Sequence, residues 1–156
     1  MKELLEYREK LLARLEEAAR EFCTECLAFN DPYTKLDGDW NVHQIAAHVS
    51  DVSQYVYGAR IRRTLAEENP TFANFDGEAW MIENYKSGES LEKILEIFSA
   101  EVSRVCILLK EMPEESWSRL SRHETLGGEL TLQLWAERGL AHIEEHLLTL
   151  KNARNK

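Results

Sequence analysis

Three prolines, at 32, 70 and 113, divide this 156-residue chain. Proline removes a backbone donor and clashes with the preceding turn, so each marks a place where a helix cannot continue. Between them run long stretches whose apolar residues recur every three or four positions. That period is one face of an α-helix, and no stretch shows the alternation of a half-buried strand. The chain therefore has to solve the problem of packing several long amphipathic helices.

The first helix is expected over residues 2–28, with Leu4, Leu11, Leu15, Ala18, Ala19, Phe22 and Cys26 along one side. Asp31-Pro32 and Asp37-Gly38 then signal turns. A second helix is expected from about 41 to 68. Asn41 and Gln44 fit a capping box at its start, and Ile45, His48, Val49, Val52, Val56 and Ala59 form its apolar face. Residues 76–86 read as a short helix within a long connection. Ser90 caps a third long helix over 91–111, and a fourth runs from about 131 to 152. The segment 116–131, with Gly127-Gly128, reads as a loop. These features predict an all-α four-helix bundle in one domain, with a long crossover connection between helices two and three.

The formal charge is −9. Phosphate binding needs a basic face, so no nucleic-acid partner is expected. The N-terminus is charged throughout without an apolar signal core, and no stretch reaches the roughly 20 apolar residues that span a bilayer. With only three cysteines, Cys23, Cys26 and Cys106, the expectation is a cytoplasmic chain with no membrane contact. Cys23 and Cys26 form C-x-x-C, but on a helix and without a second pair. One core thiol and one partly exposed neighbour is the simplest reading, with Cys106 as a small hydrophobe. Trp80, Trp117 and Trp135 are expected in the core or at a dimer contact.

Five histidines carry the chemistry: His43, His48, His123, His142 and His146. His142 and His146 are one turn apart on one helix face and can aim both rings at one ion. His142-Ile143-Glu144-Glu145-His146 also matches the H-x-x-E-H of inverted zincins, which need a further ligand well downstream. Only ten residues follow His146, so the third ligand is expected upstream. His48, on the apolar stripe of helix two, is the best candidate. Three histidines would leave a fourth position for water or substrate, as in catalytic zinc sites. The competing reading makes His48 a hydrogen-bonded core residue and leaves His142 and His146 partly exposed. His43 is expected at the surface, and His123 either at a pocket rim or in a solvent loop.

Three further residues are weaker catalytic candidates. Tyr55, seven residues after His48, falls near the same face and could line a pocket, or could be a core ring with its hydroxyl in solvent. Arg104 could hold a substrate carboxylate or phosphate, or pair with a glutamate on a neighbouring helix. Glu145 could orient a ligand histidine or act as a base, or face solvent.

The stretches "DWNVHQIAAHVSDVSQYVYGAR" (39–60) and "RHETLGGELTLQLWAERGLAHIEEHLLTL" (122–150) resemble the DinB/YfiT-like superfamily. The likeness lies in Trp40 and His48, Gly127/Gly128, Thr131-Leu132 and His142/His146. The resemblance implies a four-helix bundle and often a homodimer. It also implies a divalent metal, zinc or nickel, on His48, His142 and His146. Characterised relatives imply a metal-dependent transferase using a low-molecular-weight thiol such as bacillithiol, mycothiol or glutathione. A hydrolase acting on a small-molecule substrate is the variant. The alternative is a non-enzymatic metal- or small-molecule-binding helical protein.

Overall fold

The computed structural model describes residues 1–38 and 40–155, so Asp39, which opens the 39–60 stretch, and Lys156 lie outside it. Helix α1 spans Lys2–Leu27. A second helix follows in three continuous pieces: α2 over Val42–Val52, a π-helical turn over Ser53–Gly58, and α3 over Ala59–Ala66. The long connection carries strand β1 (Thr71–Phe72) and helix α4 (Gly77–Asn84). Helix α5 spans Leu91–Glu111. A 3₁₀ turn over Glu114–Ser118 leads to strands β2 (Leu120–His123) and β3 (Gly127–Thr131), and α6 (Leu132–Arg154) follows.

The helix starts follow from their caps. Asn41 Oδ1 accepts from Gln44 N at 2.8 Å while Asn41 N donates to Gln44 Oε1 at 2.9 Å, the reciprocal capping box. Ser90 Oγ accepts from Lys93 N, and Thr131 Oγ1 from Leu134 N. Each satisfies an otherwise orphaned donor of the first turn.

The long helices form a four-helix bundle. Helix α1 lies mainly against α5 and α6, and α2 with its π turn does the same, so α1 and α2 face each other across the bundle. The core is one contiguous cluster from all four: Phe22 from α1, Val49 from α2, Phe98 from α5 and Ile143 from α6 are among its members. Cys26 and Cys106 are buried in it and Cys23 is partly exposed, as expected. Trp117 and Trp135 are core residues, whereas Trp80 is half-buried and donates to Asp51 Oδ2 at 2.9 Å.

The segment 116–131 differs from the expected loop. β2 and β3 pair antiparallel and β1 adds parallel to β2, giving a small sheet in the order β1-β2-β3. Ser121 Oγ pins it to the bundle: it accepts from Trp135 Nε1 and donates to Leu130 O, both at 2.8 Å. The strands are two to five residues long and mostly polar. They leave no apolar alternation to read, and they form because α6 and the long connection bring them together.

Candidate functional site

Helices α2 and α6 deliver three imidazoles to one point. His48 Nε2 and His142 Nε2 are 3.1 Å apart, although the residues are 94 positions apart in sequence. Ring centroids lie 5.0 Å apart for His48–His142 and for His48–His146, and 4.6 Å for His142–His146. One ligand nitrogen from each lies within 4.8 Å of the others, which is the spacing that can hold a metal ion. Two nitrogens bound to one tetrahedral zinc at about 2.0–2.1 Å would sit roughly 3.3 Å apart, close to the Nε2 separation found.

Electrostatics keeps the set in ligand form. Burial, with a smaller contribution from the neighbouring imidazoles, lowers the pKa of His48 to about 4 and of His142 to about 3. His146 is also lowered by burial, against a smaller opposing pull from the Glu145 charge. The rings are therefore neutral at ordinary pH, as metal ligation requires. His142 Nδ1 is buried with no hydrogen-bond partner among the described residues. Either neutral tautomer leaves a ring nitrogen poorly satisfied, which costs about 1–3 kcal/mol. The protein alone does not complete this cluster, and an all-imidazole donor set suits a divalent transition metal.

Packing fixes the rings. Trp40 lies against His48 with centroids 4.9 Å apart. Gly77, the first residue of α4, also packs on it: a Cβ there would come within 3.1 Å of His48 Cε1. The glycine lets the α4 backbone close over the imidazole.

A cavity of about 350 Å³ opens beside the cluster, lined by His48, His142, Val56, Tyr57, Arg60, Arg138 and His123 among others. The π turn determines which residues of the second helix reach it. In an uninterrupted α-helix, the face holding His48 would continue through positions seven and eleven residues on. The π turn inserts one extra residue, so the face resumes at Val56 and Arg60. Tyr55 is turned outward: it is 57% exposed and stacks near Trp80, with centroids 5.2 Å apart. Tyr55 is therefore neither at this cavity nor a core ring, the two places offered for it on the assumption of unbroken α-helical register.

Arg104 is likewise displaced from the expected role. It is 63% exposed on α5 and pairs with Glu101 on its own helix at 3.2 Å. Glu145 faces solvent, and its charge reaches the site only through its pull on His146. His43, expected at the surface, is fully buried. Tyr33 stacks on it, and its ring nitrogens contact Tyr85 Oη at 2.7 Å and the Glu89 carbonyl at 2.6 Å. The polar partners come from the distant 85–89 segment, which no local pattern reveals. His123 lies at the cavity, held by Thr125 N and Leu126 N, which donate to its Nδ1 at 3.1 and 3.2 Å. Arg60, Tyr57 and Arg138 were not distinguished as pocket residues by sequence; the glycine inside the second helix, Gly58, is the one local sign of the π turn that places the first two.

The model of the DinB superfamily matches residues 3–150. A protein of Oceanobacillus iheyensis, named provisionally as a metal-dependent hydrolase, is 26% identical over 120 residues, which cover 77% of this chain and 68% of the relative. YfiT of Bacillus subtilis, with the same provisional name, is 28% identical over 148 residues, covering 88% of this chain and 78% of that one. A solved structure of YfiT, described as having an unusual four-helix bundle topology, superposes with a TM-score of 0.82 at 22% identity, covering 96% of this chain and 87% of that chain. No helix among the described residues is long and apolar enough to cross a membrane.

Proposed function

The chain belongs to the DinB superfamily, and from that premise we propose that it is a metal-dependent enzyme acting on a small molecule, with His48, His142 and His146 holding one divalent cation. The observation that carries this reading is the convergence of three neutral imidazoles, from two helices, on the wall of a cavity large enough for a small substrate. Two relatives named provisionally as metal-dependent hydrolases support hydrolysis as the reaction type. The imidazole donor set suits zinc and nickel alike.

A cation bound there would supply Lewis acidity toward an oxygen or sulfur donor entering from the cavity. The protein's own groups do the rest. Burial keeps the three imidazoles unprotonated. Trp40 and Gly77 hold the His48 ring in place. Val52, Val56 and Phe75 form apolar wall and exclude water. Tyr57, whose ring lies 6.0 Å from that of His142, presents a phenol that can hold a proton near the reacting group.

Metal analysis of the purified protein tests the site. About one equivalent of divalent metal per chain is expected, and His146→Ala should lose affinity by on the order of 100-fold or more, beyond the 10–100-fold typical of losing an outer partner. An unchanged metal content in that variant would sink the assignment. Turnover on a panel of activated esters and amides, abolished by chelation and restored by metal, is the expected activity. A parallel panel of low-molecular-weight thiols with monobromobimane tests the thiol-transferase reading, and metal-dependent turnover confined to that panel would replace hydrolysis by thiol transfer.

A further inference from the structure

Arg60 is 8% exposed, yet no carboxylate pairs with it among the described residues. A buried charge is normally paired. What Arg60 has instead is a hydrogen bond from Nη2 to the Ala73 carbonyl at 3.1 Å and the faces of three rings: Trp135 at 4.7 Å, Phe72 at 5.7 Å and Tyr57 at 5.8 Å. These contacts orient a planar guanidinium but do not neutralise it. Arg138 lines the same cavity from α6, exposed and also without an ion pair among the described residues. The two are close enough that the Arg138 charge adds to burial in lowering the Arg60 pKa, against an opposing pull from Tyr57.

Two arginines without a carboxylate partner among the described residues thus line one cavity of a chain of net charge −9. Arg8, Arg14, Arg62 and Arg63 all have carboxylate partners. Glu124, next in sequence to His123, accepts from Asn74 N at 2.6 Å and pairs with neither arginine among the described residues. His123 adds a third donor. Both backbone amides at its Nδ1 must donate, so the neutral ring carries its proton on Nε2. Burial and the nearby Arg60 and Arg138 charges lower its pKa, against a pull from Glu124, so the ring stays in that neutral, donating form.

We infer that this cavity binds the anionic end of the substrate, a carboxylate or phosphoryl group, between Arg60, Arg138 and His123, with the reacting group turned toward the histidine cluster. Planar guanidinium forks match both anions, because each offers paired oxygens for bidentate hydrogen bonds. The assignment of the reacting end rests on the proposed metal site; the anion pocket itself does not.

Calorimetric titration with inorganic phosphate, succinate and the neutral analogue succinamide tests the pocket, in metal-loaded and in chelator-treated protein. Phosphate or succinate should bind both forms, with succinamide at least 10-fold weaker, and the tighter of the two anions identifies the substrate's group. Arg138→Gln, at an exposed position, should weaken anion binding at least 10-fold. Arg60→Lys, which keeps the charge and stem but loses the fork, should also weaken it while leaving the circular-dichroism melt in place. Anion binding unchanged in Arg138→Gln, equal binding of succinamide, or anion binding that vanishes on chelation would each overturn the inference. Anion binding that persists in protein that takes up no divalent metal when metal is supplied would support the pocket and sink the metal reading instead.

Discussion

Burial sets the charge state of His48 and His142 before any ligand arrives. In the unfolded chain these side chains take protons near pH 6.5; in the fold they do so only at about 4 and about 3. The folded metal-free protein therefore binds fewer protons than the unfolded chain below pH 6.5. Its stability is fully present above that value and falls as the pH drops from about 6.5 toward 3. Urea melts of metal-free protein at pH 7.5 and pH 5 should differ by on the order of 2–4 kcal/mol from these two groups. His142→Asn should flatten the dependence, and an unaltered slope in that variant would contradict the burial account. At this scale the sequence was informative where spacing alone decides. His142 and His146 share a face because they are four apart, and His48 declared itself as a polar residue on an apolar stripe. It was silent where partners come from afar. His43 looks like any helix-start histidine until the 85–89 segment covers it. Arg60 looks like a surface arginine until the long connection and Trp135 enclose it.

The second helix shows how a single turn redistributes function along an element. Its caps, length and apolar face were all legible, and the helix exists where the pattern placed it. The π turn was not, because π geometry has no propensity signal comparable to a cap or a breaker. Missing it exchanged Tyr55 for Arg60 at the pocket. Gly58 is the residue on which the turn depends. A Cβ there would lie 2.5 Å from the Ser53 carbonyl oxygen and 2.6 Å from Glu101 Oε1. Replacing glycine by alanine within a helix ordinarily stabilises by up to about 1 kcal/mol. Gly58→Ala should instead destabilise by about 1–3 kcal/mol, because a backbone atom must move. Chemical denaturation measures the sign, and a stabilised variant would show that the turn does not need the glycine. The β2–β3 hairpin was the other element hidden from sequence. Its register is held by Ser121 and Trp135 rather than by its own side-chain pattern.

For the whole molecule, apolar periodicity and three prolines were enough to predict the bundle, because four long amphipathic helices have few ways to bury their stripes together. The arrangement of helices within it was less accessible, since periodicity does not say which stripe meets which. The placement of α2 opposite α1, and beside both α5 and α6, brings His48 to α6. That contact joins residues 94 apart, and this has a kinetic consequence. Closing so long a loop is an entropic cost met only when distant segments dock. The imidazole cluster is thus expected to assemble after the folding barrier has been crossed. A ligand that stabilises interactions absent from the transition state slows unfolding and leaves the folding rate alone. Chevron analysis with and without added zinc should therefore move only the unfolding limb. A shift of the folding limb instead would place the α2–α6 docking within the nucleus. If it is the unfolding limb that moves, metal occupancy sets how long each molecule stays folded and has no influence on how quickly it gets there.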